Sequence, residues 1–255
     1  MLKRERLDQI MIAVTKQGYV SVADLAKALN VSEMTIRRDL DELSKSGKVI
    51  RLHGGVQAIS SQNQIEQNFQ EKREIHIQEK QEIAKVAASL VNDNETIYVG
   101  PGTTLEFMVA CLNQENLRIV TNSLPIFEMA RSNPRNYKLV LVGGSYRRVS
   151  GSFYGALSNN ELDSMNYDKA FVGVNGISDA AILTADIEEG QTQSIGLNNS
   201  QKRILVADMY KFNHRDFYQF YSLYDIDELV TNEQISPDVL EYYRQYTSIR
   251  TRIEE

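Results

Sequence analysis

Val20-Ser21-Val22-Ala23-Asp24-Leu25-Ala26-Lys27-Ala28-Leu29-Asn30-Val31-Ser32-Glu33-Met34-Thr35-Ile36-Arg37-Arg38-Asp39-Leu40 is the stretch on which the reading of this chain turns. Val22, Leu25, Ala26 and Leu29 fall on one face of a short helix of 3.6-residue period, and Ile36, Leu40 and Leu43 fall on one face of the next. Ser21 and Ser32 stand just ahead of these two stripes, where a hydroxyl accepts from a backbone N–H that the helix cannot pair, and Asp24 follows Ser21 by three positions. Asn30-Val31 leaves room only for a tight turn. Two short helices joined by about three residues have the spacing of a helix-turn-helix.

The flanks extend this unit. Leu7, Ile10, Met11 and Val14 form an apolar stripe that predicts a preceding helix ending near Gly18, and the later helix stops at Gly47. Lys48 to Leu52 reads as a strand, His53-Gly54-Gly55 as a turn, and Val56 as the start of a return strand, which together make a wing. In a helix-turn-helix the N-terminal half of the second helix enters the major groove. Here that half carries Glu33, Met34, Thr35, Arg37 and Arg38. Arginine bonds guanine O6 and N7 in pairs or grips phosphate, and threonine meets a thymine methyl or a phosphate. With Ser21 and Ser32 at the caps and Lys48, Arg51, His53 and Gly54 on the wing, these are the candidate DNA-binding residues. Arg37-Arg38 also reads as a merely solvated helix face, but caps, turn spacing and wing agree on DNA.

Charge supports a division of the chain. The net charge of −6 argues against nucleic acid for the whole, yet residues 1–56 hold ten basic against seven acidic residues and the remainder eighteen against twenty-seven. A mildly basic head thus sits on an acidic body. With 42% hydrophobic and 24% charged residues, wholesale disorder is excluded. No stretch approaches the roughly 20 apolar residues that cross a bilayer, and Met1 to Arg6 carries no signal-peptide core, so no membrane partner and a cytoplasmic location are expected. Cys111 stands alone, which excludes an intrachain disulfide, and His53, His76 and His214 are far apart, so no metal is expected.

The chain divides by sequence into a winged helix-turn-helix over 1–57, a polar linker over 58–74 and a sensor body over 75–255. Ile83, Ala84, Ala87, Leu90 and Val91 line an amphipathic helix that opens the body. Short apolar runs then alternate with helical segments. The predicted strands are Thr96–Val99, Arg118–Thr121, Lys138–Val142, Lys169–Val174, Arg203–Ala207 and Leu229–Thr231; the predicted helices are Leu105–Leu112, Pro125–Arg131, Ala156–Met165 and Glu188–Ser200. This alternation gives an α/β body with a mostly parallel, doubly wound sheet. Such sheets bind ligands at the carboxyl ends of their strands. Those ends carry Gly100 and Gly102-Thr103-Thr104, then Thr121-Asn122-Ser123, then Gly143-Gly144, then Gly173, Asn175 and Gly176, then Asp208 and Lys211. Glycines before a helix N-terminus suit a phosphate, although Gly, Asn, Asp and Ser also make ordinary turns. The tips are expected to converge on one crevice. No GxGxxG fingerprint is present, so no cofactor is expected.

These residues resemble a known family. Val20 to Ala26, Val31 to Leu40 with its Thr-Ile-Arg-Arg-Asp-Leu run, and Leu52-His53-Gly54-Gly55 look like the DNA-binding signature of DeoR-type repressors. Thr96 to Thr104, Val120 to Ser123 and Leu141 to Gly144 look like the effector-sensing domain of the same family, so the resemblance spans nearly the whole chain. It implies a fold similar to sugar-phosphate isomerases and a phosphorylated sugar as ligand. The family's Asp-x-Ser/Thr-Lys motif falls on Asp208-Met209-Tyr210-Lys211, with Tyr210 in place of the hydroxyl residue, and Gly100-Pro101 replaces an Asp ahead of the Gly-Thr-Thr loop. The Gly-Pro-Gly-Thr-Thr form, with Ile187-Glu188-Glu189 and then Thr192-Gln193, looks most like the lactose phosphotransferase system repressors. That implies tagatose 6-phosphate or a related hexose phosphate.

Three functions follow. The first is a repressor of sugar-metabolism genes, a homodimer or homotetramer on double-stranded operator DNA, with DNA binding modulated by the sugar phosphate. The second is a sugar-phosphate isomerase-like enzyme with an appended DNA-binding module, for which Asp186, Glu188, Glu189 and Asp208 are the available carboxylates. The third is a constitutive DNA-organising protein, which leaves the body unexplained. The first is favoured and the chain is read as no enzyme, because Glu188 and Glu189 also suit the dipole of a helix first turn and no second catalytic group stands at a telling spacing. The candidate effector-binding residues are Gly100, Gly102, Thr103, Thr104, Asn122, Gly143, Gly144, Asn175, Glu188, Asp208 and Lys211.

Overall fold

The computed structural model describes residues 3–17, 19–45, 49–52, 54–58, 69–135 and 137–253. Gly18, Gly47, Lys48, His53 and linker residues 59–68 lie outside them. The chain divides into two compact units, Met1–Ile65 and Glu66–Glu255.

In the first unit the order is α1 (Lys3–Gln17), β1 (Tyr19–Ser21), α2 (Val22–Ala28), α3 (Glu33–Lys45), β2 (Val49–Leu52) and β3 (Gly55–Ala58). The caps work as the hydroxyl positions imply: Ser21 Oγ accepts from the Asp24 N–H at 3.0 Å and Ser32 Oγ from the Thr35 N–H at 3.2 Å. Asn30 closes the turn at φ 51°, a left-handed conformation that asparagine tolerates. Ile10, Val14, Leu25, Ile36, Leu40 and Val56 are buried in one apolar core. β2 and β3 pair antiparallel as a wing. The strand β1, unforeseen in the sequence, pairs with β3 and makes a three-stranded sheet of order β1-β3-β2. Asp39, inside the Thr-Ile-Arg-Arg-Asp-Leu run, is buried and takes the Arg6 guanidinium in a two-pronged bond that ties α1 to α3.

The second unit contains α4 (Phe69–Glu74), α5 (Ile77–Ala88), β4 (Thr96–Val99), α6 (Thr103–Cys111), β5 (Arg118–Thr121), α7 (Leu124–Arg131), β6 (Lys138–Leu141), β7 (Ser145–Arg147), β8 (Ser152–Tyr154), α8 (Ala156–Asp163), β9 (Tyr167–Gly173), β10 (Gly176–Ser178), β11 (Ala181–Thr184), α9 (Ile187–Asn198), β12 (Ser200–Val206), β13 (Tyr218–Ser222), β14 (Glu228–Val230), α10 (Pro237–Arg244) and β15 (Ile249–Arg250). Seven strands form one parallel sheet of order β15-β14-β12-β9-β4-β5-β6. From β4 the chain runs outward through β5 and β6, then returns to the other flank of β4 with β9. The order therefore reverses between β4 and β9.

Alternation along the strands builds two cores. Ile97, Val99, Phe171 and Val206 pack under α5, α6 and α7 on one face; Tyr98, Ala170, Val172 and Leu205 pack under α8, α9 and α10 on the other. Gly196 allows the second layer to close, since a Cβ there would stand 2.2 Å from the Tyr98 ring. Three features go beyond the sequence expectation. Residues 69–74, placed in the linker, form α4, whose first N–H donates to the Val149 carbonyl at 2.7 Å. β7 and β8 make a hairpin. β10, β11 and β13 make a small antiparallel sheet. Short antiparallel insertions bury too few residues to leave a strong apolar pattern.

Candidate functional site

On α3, Glu33, Met34, Arg37 and Arg38 are exposed, and Met34 is 62% exposed although apolar. Arg37 reaches Glu33 at 3.4 Å across one helical turn, an exposed pair that costs little to break. Thr35 is half-buried, its hydroxyl 2.9 Å from that of Ser32. The hydroxyl of Ser21 donates to Asp24 at 2.6 Å, so both cap serines are engaged locally. Arg51 on the wing pairs with Asp41 of α3, and Gly54 is exposed at φ 81°. The sequence thus placed four exposed side chains on the first half of α3.

In the body, a cleft of about 970 Å³, counting its open mouth, lies at the carboxyl end of the sheet. Its lining includes the loop after β4 (Pro101, Gly102, with Thr103 and Thr104 opening α6) and the loop after β9 (Gly173, Val174, Asn175). It sits where the strand order reverses, because the loops of β4 and β9 diverge to opposite faces and leave a gap between them. The end of β12 adds Ala207, Asp208, Tyr210 and Lys211. No side chain caps α6, so its first N–H groups face the cleft without a competing acceptor.

Of the candidate effector residues, Gly102, Thr103, Thr104, Asn175, Asp208 and Lys211 line this cleft; Gly100, Asn122, Gly143, Gly144 and Glu188 do not. Four of the five exceptions have a structural occupation. Gly100 is buried beside Phe171 and Val172, where it donates its N–H to the Phe171 carbonyl. Asn122 is fully buried, accepts from the Tyr98 hydroxyl at 2.9 Å and donates to the Phe153 carbonyl at 2.7 Å. Gly143 gives its carbonyl to the Ser158 hydroxyl, and at Gly144 (φ 149°) a Cβ would stand 2.2 Å from Ser158 Oγ. Glu188 is exposed on α9. The tips of β5 and β6 thus serve the β7–β8 hairpin and α8, and the expected convergence of all five tips is corrected to three.

The structure adds lining residues outside the effector candidates, of which Glu189 and Gln193 had entered only as a carboxylate and as part of the family resemblance. Lys72 from α4, His76 at the α4–α5 elbow and Lys80 from α5 line the cleft, as do Thr184, Glu189 and Gln193 from β11 and α9. Lys80 stands three and four positions before Ile83 and Ala84, so it lies on the buried stripe of its helix, a signal the sequence does carry. His76 takes φ 53° and stacks on Tyr210, ring centroids 3.7 Å apart, while the Tyr210 hydroxyl donates to Glu79 at 3.1 Å. Tyr210, at the position of the family's hydroxyl residue, therefore forms an aromatic wall.

The cations of this cleft are held in an unusual state. Burial is the main influence on Lys80 and pushes its ammonium down to about 8, against the opposing pull of Asp208. Its Nζ donates to the Lys72 carbonyl. Lys72 donates to Asn175 at 3.2 Å. Burial also lowers Lys211, again opposed by Asp208, and lowers His76. A bound anion would favour the protonated forms of these groups, so a cation-lined cleft beside a helix N-terminus is suited to a small phosphate-bearing molecule. On the other wall, Glu189 accepts from the Ser152 hydroxyl at 2.6 Å and lies 3.5 Å from Arg147. No group of three or more His, Cys, Asp or Glu able to hold a metal occurs among the described residues.

Two family models match the two units in turn: a DeoR-like helix-turn-helix domain over residues 6–62 and a DeoR C terminal sensor domain over residues 75–233. The chain belongs to the DeoR family. It is 38% identical to a lactose phosphotransferase system repressor of Lactococcus lactis subsp. lactis, over 98% of each chain. It is 35% identical to the protein of that name from Streptococcus mutans, over 98% of this chain and 99% of the other. Ribose 5-phosphate isomerase A of Neisseria gonorrhoeae is a remote structural likeness, at 19% identity and a TM-score of 0.40 over 53% of each chain. This DeoR-family member therefore joins a helix-turn-helix DNA-binding head to a sensor body. No described helix is long and apolar enough to cross a membrane.

Proposed function

We infer that this chain is a cytoplasmic transcriptional repressor whose affinity for operator DNA is set by a phosphorylated sugar bound in the body. The observation that carries the sensing half is the cleft where the strand order reverses: an uncapped helix N-terminus on one side, and Lys72, Lys80 and Lys211 close by. The name borne by the relatives extends the reading to genes of lactose uptake; the resemblance noted in the sequence adds tagatose 6-phosphate or a related hexose phosphate as the effector. Two heads on two half-sites require a dimer or a tetramer.

A regulator without turnover fits the carboxylates. Glu189 is committed to Ser152 and Arg147, and Asp208 Oδ1 accepts from the Tyr210 N–H at 3.1 Å. Neither stands as an unengaged base facing the cleft. Operator binding measured by fluorescence anisotropy, with and without hexose phosphates, tests the proposal. The expected result is a shift of about 5- to 150-fold, the range of a coupling of roughly 1–3 kcal/mol. Operator affinity that no sugar phosphate moves would overturn the sensing half and leave the DNA-binding half standing.

A further inference from the structure

Gln193 is the cleft residue for which neither folding nor phosphate binding supplies a use. It lies on α9 one turn beyond Glu189, is only 5% exposed, and lines the cleft. Its Oε1 is buried with no hydrogen-bond partner. A buried amide oxygen without a donor is a liability to the fold, so its persistence calls for a partner that arrives later. Its neighbours along α9 are provided for. Glu189 is held by Ser152 and Arg147, and Thr192, next in sequence, donates to Asn159 at 2.7 Å.

The two walls come from opposite faces of the sheet. Lys80 belongs to α5, and Thr103 and Thr104 open α6, both of which pack on the Ile97–Val99–Phe171 face. Gln193 belongs to α9, which packs on the Tyr98–Val172–Leu205 face. A molecule whose phosphate takes the cationic wall therefore presents its other end to α9.

We propose that Gln193 reads the hydroxyls of the effector: its side-chain amide accepts a hydrogen bond from a hydroxyl on the carbon chain of a phosphorylated sugar or polyol whose phosphate sits on the cationic wall. The proposal rests on the reading of the cleft as the effector site. It selects a hydroxyl donor at this end, because the waiting atom is an acceptor and the adjacent Glu189 repels a second anion.

Calorimetry on the full-length protein with tagatose 6-phosphate and fructose 6-phosphate, together with thermal melting of the unliganded protein, tests this. Gln193→Leu removes the orphan acceptor while keeping most of the volume. The expected result is an unliganded Tm equal to or above that of the wild type, with hexose-phosphate affinity lowered about tenfold or more. A purely structural glutamine would lower Tm instead. If the wild type binds and the variant binds within a factor of about two, this proposal falls while the effector cleft stands. If the wild type binds neither sugar phosphate, the effector cleft itself falls, and this proposal with it. A variant that loses both Tm and affinity is resolved by the crystal structure of the wild-type complex. There a ligand hydroxyl within about 3.2 Å of the Gln193 amide supports the proposal, and its absence overturns it.

Discussion

The cations of the head and those of the cleft are built for different anions. Arg37 and Arg38 stand exposed on α3, one loosely paired with Glu33. Lys80 is buried, 3% exposed, and its ammonium is pushed down to about 8. A duplex is a long polyanion that stays wet, so its readers need permanent charge and reach, and they gain affinity by releasing counterions. A small phosphate can be enclosed, so its readers can be dry, and each contact then counts for more. Guanidinium outside and lysine inside follow from this, since lysine alone of the two is readily tuned by burial.

The largest expected effect is at the buried cation. Lys80→Met should cost about 1.5–3 kcal/mol of hexose-phosphate affinity, roughly 10- to 150-fold, and leave operator binding without effector unchanged. Calorimetry and anisotropy on the same preparation check both halves. Loss of operator affinity in this variant would break the separation. Next comes Arg38→Ala, with about 1–3 kcal/mol of operator affinity lost and effector affinity untouched. A loss confined to one operator base pair marks a base contact, and a uniform loss with a shallower salt dependence marks a phosphate contact.

The same contrast sets opposite responses to solution conditions. Operator binding should weaken steeply with salt and hardly respond to pH between 7 and 9, a window in which arginine keeps its charge (about pH 7–9). Effector binding should weaken as pH rises through about 8, because only protonated Lys80 holds an anion. Stability of the unliganded protein should move the other way. Lys80 loses its proton at lower pH when folded than when unfolded, so the unfolded state binds more protons above about 8 and folding gains as pH climbs toward the ordinary lysine value. Melting curves and calorimetry across that window, repeated in Lys80→Met, check the assignment, since both trends should flatten. The smallest effect belongs to Glu188→Gln, at an exposed position outside the cleft: hexose-phosphate affinity within a factor of about two.

Much of the fold was legible because its determinants are local. Thr96–Val99 and Arg118–Thr121 emerge as strands with the predicted bounds. Their apolar centres, Ile97-Tyr98-Val99 and Ile119-Val120, are what a parallel sheet buried on both faces demands. Ser21 and Ser32 announced their helices because a cap is a contact over three residues. β1, the β7–β8 hairpin and α4 were not legible, since a strand of three residues or a helix of six is decided by what it packs against.

The site divides along the same line. Gly102-Thr103-Thr104, Asn175, Asp208 and Lys211 were legible as polar tips of strands. Gly143-Gly144 looked equivalent, yet it supports Ser158 and α8, because a glycine tip records only that backbone comes close to something. Lys72 and Gln193 lie in helices, where one charged or amide residue among many carries no mark of what it will face, whereas Lys80 was marked by its place on the buried stripe of α5.

The linear order of residues alone settled that a capped helix pair with two exposed arginines precedes a run of parallel strands, because caps, turns and hydrophobic period act over a few neighbours. Only the folded sheet decided which tips meet. Strand order, set by packing between distant segments, opened a gap beside β4 and β9 and closed the others, and it brought lysines from one face opposite an unpaired glutamine from the other.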